Sequence, residues 1–96
     1  MARVVVTARA ERDVRELVHT RALPDDTPAR IARVLEPLRE FPELGASLGR
    51  SFAGQRFLLG PWRWMIVIYE LDRDTNTVVI LRVVDGRTSS SPLANR

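Results

Sequence analysis

The stretch "GPWRWMIVIYE", residues 60–70, decides the fold that the sequence predicts. It is an almost unbroken apolar run that begins with the turn-forming pair Gly60-Pro61 and ends at Glu70. Runs of this length that are rich in Ile, Val and aromatic residues are typical of β-strands. Both tryptophans of the chain lie in this run, with Arg63 between them. A permanent cation in such a strand needs a partner or a purpose.

Alternate side chains of a strand lie on opposite faces, which divides this run into two sets. We expect one set to form the core face and to cover the helices: Trp62, Trp64, Ile66 and Ile68. The other set would lie on the open face of the sheet: Arg63, Met65, Val67 and Tyr69. This assignment places Arg63 at the rim of the open face.

Two further segments have strand character, "RSFAGQRFLLG" at 50–60 and "TVVILRVVD" at 77–85, with the central strand at 62–72. A tight turn at Gly60-Pro61 would make Arg56 a cross-strand or diagonal neighbour of Arg63, depending on the register. Because like charges facing each other destabilise a strand pair, their convergence predicts an anionic ligand. The alternative is a register that keeps the two arginines apart and solvates each one.

The N-terminal half has helical periodicity after a short strand at 3–6. Thr7 is the predicted cap of helix 1, which runs to about Arg21. Helix 2 begins at Asp26 or Thr27, followed by Pro28, and Pro37 should kink it or change its pitch. Its predicted apolar face consists of Ile31, Val34, Leu35, Leu38 and Phe41. Residues 41–49 are predicted to form a loop.

The predicted fold class is α+β, in the order β-α-α-β-β-β, with a helical hairpin packed on a mainly antiparallel, twisted sheet. Residues 1–88 make one domain, since 96 residues suffice for a single modest core. Residues 89–96, "SSSPLANR", are small and polar and are predicted to be a flexible tail.

Composition excludes several kinds of chemistry. The chain has no cysteine and a single histidine, so the sequence predicts no disulfide, no metal site and no cofactor. No apolar run reaches the ~18 residues that a membrane span needs, and a cytoplasmic location is expected. The net charge of +3 comes entirely from residues 49–96, which hold seven Arg and four Asp or Glu. A cationic half-domain points to a polyanion or an acidic protein partner.

Three segments together resemble a known family: "ARAERDVRELV", "RIARVLEPLREFPELGASL" and "RFLLGPWRWMIVIYELDRDTNTVVILRVVDGR". In this order they are similar to the RelE/ParE superfamily of bacterial toxins over residues 4–88. The most specific parts are the aromatic-Arg pair before an apolar strand ending in Tyr-Glu, and the basic motif "VVDGR". The resemblance implies a type II toxin in a hetero-oligomer with an acidic antitoxin. It also implies one of two activities: ribosome-dependent mRNA cleavage, which we favour here, or inhibition of DNA gyrase without nuclease activity. A non-toxic binding module is the third alternative.

The resemblance also suggests site residues. It implies that Arg56, Arg63 and Arg87 are catalytic and that Arg50 and Arg82 contact RNA. Members that cleave RNA usually have a histidine or lysine near the position of Asp85 and a tyrosine beyond that of Arg87, and "DGRTSSSPLANR" has neither. Because arginine stays protonated and is a poor base, the base would be Asp85 or a group of the ribosome.

Overall fold

Two helices cover one face of a five-stranded sheet in the computed structural model, which describes residues 1–88. The elements are β1 (Arg3–Val6), α1 (Ala8–Thr20), α2 (Thr27–Leu35), β2 (Ala46–Ser47), β3 (Gln55–Leu59), β4 (Met65–Asp72) and β5 (Thr77–Asp85). The strand order is β1-β5-β4-β3-β2, and only the β1–β5 pair is parallel. The predicted α+β class is confirmed. The predicted tail 89–96 lies outside the described residues.

Three predicted boundaries need correction. The predicted loop 41–49 contains the short strand β2, which pairs with β3. Residues 50–52, predicted to open a strand, form a 3-10 turn, so that β3 begins only at Gln55. The central strand begins at Met65, not at residue 62. No helix within residues 1–88 has the length and apolar character needed to cross a membrane.

The helix boundaries follow the predicted signals. The Thr7 hydroxyl accepts a hydrogen bond from the amide of Ala10 at 3.1 Å and donates to the carbonyl of Ile80 at 2.8 Å. The same side chain therefore caps α1 and ties it to β5. Pro28 lies in the first turn of α2, and the pitch changes to a 3-10 turn at Glu36–Arg39, where Pro37 removes a backbone donor.

The main core lies between the helices and the sheet. It contains buried side chains of both helices and of three strands: Ala10, Leu17, Ile31, Leu35, Leu38, Met65, Val67, Tyr69, Val78, Ile80 and Val83. The prediction for the second helix is confirmed for Ile31, Leu35 and Leu38 but is wrong for Phe41, which is 58% exposed. The 3-10 turn ends the helical stripe at Leu38, so Phe41 no longer faces the core.

The predicted face assignment of the central strand is inverted. Met65, Val67 and Tyr69 face the helices and are fully buried. Ile66 and Ile68 lie on the other face in a second cluster, which also contains Leu48, Phe57, Leu81 and Val84. The second face is therefore covered by apolar side chains and is not the open face that alternation predicted.

The reason for the inversion is that residues 62–64 belong to a turn. The amide of Met65 donates to the carbonyl of Trp62 at 3.0 Å, and the amide of Gly60 donates to the carbonyl of Met65 at 2.8 Å. Strand alternation does not extend through such a turn. Both tryptophans are half-buried and pack against the main core although the strand residues next in phase, Ile66 and Ile68, point away from it.

The loop that follows the second helix is held to the sheet by one buried tyrosine. The Tyr69 hydroxyl accepts from the amide of Gly45 at 2.8 Å and donates to the carbonyl of Pro42 at 2.9 Å. Burial raises the pKa of this phenol, while the hydrogen bond from Gly45 opposes the shift. A Cβ atom at position 45 would lie 2.6 Å from the carbonyl oxygen of Phe57 and 2.7 Å from the Tyr69 hydroxyl. Only glycine fits here without displacing the backbone or the tyrosine.

We therefore expect Gly45→Ala to lower the free energy of unfolding by about 1–3 kcal/mol, the usual range for overpacking. Urea unfolding followed by circular dichroism measures the change. Gly60→Ala is the matched control, because its added Cβ would meet only the flexible side chain of Met65. Equal stability of the Gly45→Ala variant and the wild type would contradict this account of the loop.

Candidate functional site

The structure separates the two arginines that the sequence predicted to converge. Arg56 pairs with Tyr69 of β4, and the ladder continues for three more residue pairs before the turn. At about 3.4 Å per residue, this places Arg56 roughly 10 Å from the turn-proximal end of the ladder. The convergence of Arg56 with Arg63 is therefore wrong, and the solvated alternative holds.

Arg56 braces the loop that Tyr69 also holds. Its Nη1 donates to the carbonyl of Gly45 at 2.7 Å and to the carbonyl of Glu43 at 3.2 Å. These bonds use a guanidinium that the sequence assigned to catalysis. Arg50 lies in the 3-10 turn before β3 and is exposed.

Arg63 lies at the exposed tip of the β3–β4 turn and has no carboxylate partner within residues 1–88. The two tryptophans beside it stack with ring centroids 6.1 Å apart and an interplanar angle of 18°. The guanidinium of Arg30 lies 5.8 Å from the Trp62 ring, and that of Arg87 lies 4.7 Å from the Trp64 ring. Each cation–π contact contributes about 0.5–1 kcal/mol at an exposed site.

Asp85 and two arginines form a polar cluster at the same end of the sheet. Arg87 binds the carboxylate with two side-chain bonds, Nε at 3.0 Å and Nη2 at 2.8 Å, and its amide adds a third at 2.8 Å. Arg21, the residue after α1, donates from Nε to Oδ2 at 3.1 Å. The carboxylate side chain is 4% exposed, whereas that of Arg87 is 60% exposed. The cluster therefore has a buried anion and an outward-facing cation.

These contacts determine the protonation state of Asp85. The hydrogen bond from Arg87 lowers the pKa of this carboxyl group well below its ordinary range, its amide and Arg21 add to the effect, and burial opposes it. A carboxylate with a strongly lowered pKa accepts a proton poorly. The geometry therefore argues against Asp85 as a general base and in favour of a role in orienting Arg21 and Arg87.

Arg82, predicted to contact RNA, reaches back to α1. It donates from Nε to Oδ2 of Asp13 at 2.8 Å, and the amide of Val83 donates to the same oxygen at 3.0 Å. The sequence assigned Asp13 only to the helix dipole and did not single out Arg21. Asp13 has a recognisable signal, because it lies within the apolar stripe between Ala10 and Leu17, where a carboxylate must be buried.

The predicted site residues thus occupy three places. Arg63 and Arg87 share the turn end of the sheet, Arg82 lies against α1, and Arg56 braces the loop beside β2. Within residues 1–88 no group of His, Asp or Glu side chains is arranged to hold a metal ion.

A family model described as the ParE toxin of the type II toxin–antitoxin system, parDE, matches residues 4–89. A toxin chain fold with the same architecture occurs in the RelBE2 toxin–antitoxin complex of Mycobacterium tuberculosis, where the matched chain is 30% identical, with 88% of this chain and 96% of that chain covered and a TM-score of 0.61. The class is therefore a type II toxin of the RelE/ParE superfamily. Within it, the chain belongs to the ParE toxin family.

Two more distant structures share the fold alone. The isolated RelE toxin of E. coli is 15% identical, with 94% of this chain and 89% of that chain covered and a TM-score of 0.62. A conserved hypothetical protein of Helicobacter pylori is 10% identical, with 88% and 94% covered and a TM-score of 0.59. Among curated proteins no significant match is found.

The Asp85 cluster gives a test by pH. Because the folded-state pKa of Asp85 is lowered, the carboxylate stabilises the fold above its ordinary pKa of 3.8, and this stabilisation is lost as the pH falls below that value. Asp85→Asn removes it at every pH. We expect the variant to melt well below the wild type at pH 7 and the difference in Tm to shrink towards pH 2.

Thermal melts from pH 7 to pH 2 measure this difference. Asp74→Asn, at an exposed turn position, is the matched control and should follow the wild type. A Tm difference for Asp85→Asn that stays constant over the whole pH range would show that the charge of Asp85 contributes nothing.

Proposed function

We propose that this toxin inhibits growth by binding DNA gyrase and that it does not cleave RNA. The observation that carries the proposal is the lack of a proton acceptor beside the outward-facing arginines within residues 1–88. The family description, which names ParE, supports the same target class. Gyrase is a cytoplasmic enzyme, so a cytoplasmic location is part of the proposal.

RNA cleavage by 2′-hydroxyl attack needs a proton acceptor, stabilisation of the phosphorane and a proton donor to the leaving oxygen. Arg63 and Arg87 could supply the stabilisation. The acceptor has no good candidate, because Asp85 holds two guanidinium groups and the hydroxyl of Tyr69 is buried against Pro42 and Gly45. Arg56, the third predicted catalytic arginine, lies at a different part of the sheet.

Ribosome-dependent mRNA cleavage is the second candidate. It is supported by the 30% identity to a chain of the RelBE2 complex and by the exposed guanidinium edge of Arg87. In that case Arg63 and Arg87 would hold the scissile phosphate, Arg50 and Arg82 would contact the RNA, and the ribosome would supply the proton acceptor. A toxin fold that only binds its partner is the third candidate.

An antitoxin is the proposed partner under each of these activities. An apolar groove runs between the helices and β1, which is an edge strand. It is lined by Val6, Val14, Ile31, Ala32 and Leu35, and Val5 and Val6 are 38% and 40% exposed. An edge strand beside an apolar groove can accept an added strand or an amphipathic helix. We propose that the antitoxin binds in this groove and forms the hetero-oligomer.

The target is tested by inducing the toxin in cells and following pulse-labelled thymidine and methionine. The proposal expects DNA synthesis to stop before protein synthesis, and the purified toxin to inhibit supercoiling by gyrase in vitro. Mapping of mRNA ends by primer extension checks for cleavage in the same cells.

An early stop of methionine incorporation with new mRNA ends would replace gyrase by the ribosome as the target. The informative variant is Arg63→Ala, which should change stability by less than about 0.5 kcal/mol because the side chain is exposed. It should nevertheless abolish growth inhibition, while Arg33→Ala, an exposed arginine of α2, should retain it. A folded Arg63→Ala protein that still arrests growth would remove Arg63 from the target site.

The antitoxin groove is tested by Ala32→Arg. Ala32 is exposed, and arginine is a good helix former, so the helix should persist. The long side chain should occupy the groove and weaken antitoxin binding by about tenfold or more, while toxicity is retained. Co-expression with the antitoxin measures rescue, and Arg33→Ala, one residue outside the lining, is the control. Full rescue of the Ala32→Arg toxin would place the antitoxin elsewhere.

A further inference from the structure

A second groove lies on the other side of α1, between this helix and β5. Its volume is about 250 Å³, and it is lined by polar side chains for the most part. Thr20 and Arg21 lie on the helix side, and Arg82 and Asp85 lie on the strand side. It shares no lining residue with the apolar groove between α1 and α2. It therefore needs an explanation other than antitoxin binding in the apolar groove.

Each end of this polar groove contains one buried aspartate between two arginines. At one end Asp13, with a side chain 8% exposed, lies 2.8 Å from Arg82 and 3.6 Å from Arg9. At the other end Asp85, 4% exposed, lies 3.1 Å from Arg21 and 2.8 Å from Arg87. The carboxylates lie beneath and the guanidinium groups lie outward. With two cations to one anion, each cluster carries one unit of positive charge.

The arginines are held in place but are not saturated. A guanidinium has five N–H donors. Arg82 uses Nε and Nη2 on Asp13, and Arg21 uses Nε and Nη2 on Asp85. Their side chains remain 40% and 36% exposed. Because the buried aspartates fix their orientation in advance, little rotamer freedom is lost when the remaining donors bind an oxyanion.

We propose that the polar groove binds an extended acidic peptide segment of a partner protein through two carboxylates, one at each arginine pair. Asp13 and Arg21 are eight positions apart along the chain, which corresponds to about 12 Å along a helix. Acidic side chains four positions apart in an extended segment lie on the same side and are separated by about 13 Å. The spacing of the two clusters therefore matches acidic residues at positions i and i+4.

A peptide fits the polar groove better than a nucleic acid does. Single-stranded nucleic acids bind where bases stack on open aromatic faces. In this part of the chain the Trp64 ring is covered by Arg87 and by Trp62. Glu16 also lines the groove and would repel a continuous row of phosphates, whereas two separated carboxylates can avoid it.

The inference goes beyond the proposed gyrase inhibition and is tested without gyrase or ribosome. The probe is a short synthetic peptide of serine and alanine with two glutamates four positions apart. Titration into the purified full-length toxin is followed by NMR, through the Nε–Hε signals of the arginines. We expect the signals of Arg21 and Arg82 to shift, and a peptide with glutamine in both positions to leave them unchanged.

The variant pair Arg21→Gln and Arg82→Gln should weaken the peptide by about tenfold, because two charge-assisted bonds are lost. Each buried aspartate keeps one arginine, and Tm measurements verify that the variant is folded. The matched control, Arg12→Gln with Arg33→Gln, removes the same charge from exposed positions outside the groove and should change binding by less than about twofold.

Three results would overturn the proposal. The first is no shift of the Arg21 and Arg82 signals with the glutamate peptide. The second is an equal loss of affinity in the control pair, which would mean unspecific attraction to a basic protein. The third is tighter binding of an oligouridylate of matched charge at the same signals, which would assign the groove to nucleic acid. None of these results depends on whether gyrase is the target.

Discussion

Buried carboxylates between α1 and β5 are the constraint on which the rest of the structure depends. Asp13 and Asp85 are almost fully buried, and an unpaired charge in such a position costs several kcal/mol. Both are therefore paired with arginine, and Asp13 also accepts the amide of Val83. Because each carboxylate bridges the helix or its C-terminal end to the strand, α1 can lie on the sheet in only one position. The direction of Arg21, Arg82 and Arg87 follows from the same bonds.

The turn between β3 and β4 extends this polar framework to α2. A continuous series of contacts joins five side chains from both helical segments, the turn and the end of β5: Arg30, Trp62, Trp64, Arg87 and Asp85. These contacts hold the turn while leaving Arg63 exposed at its tip. The apolar strand that follows does not present this arginine. Its presentation comes from two stacked indoles whose outer faces are occupied by other cations.

α1 separates two surfaces of different chemistry. On one side lies an apolar groove beside the edge strand β1, and on the other lies a polar groove with paired arginines. An apolar groove binds through buried area, whereas oriented guanidinium groups mainly provide specificity and fast association. A small toxin with both surfaces can bind a partner that neutralises it and still display arginines to another molecule. The shared fold of the RelE/ParE superfamily leaves room for such differences, because function resides in the side chains carried by the fold.

The sequence by itself determined the class of the fold, the capping by Thr7, the pitch change at Pro37 and the family. These depend on local periodicity, turn residues and short-range hydrogen bonds, which neighbouring residues specify. It did not reveal that residues 62–64 form a turn, because Trp-Arg-Trp has strong β-propensity and only its contacts with the core hold it out of the strand. The inverted faces of β4 and the false meeting of Arg56 with Arg63 both follow from that one error. The site likewise needed the tertiary structure, because Asp13 and Arg82, or Arg21 and Asp85, are more than sixty residues apart. Their pairing is set by how the helix packs on the sheet, and a carboxylate that is buried in this way must take its counter-charge from whichever arginine that packing brings within reach.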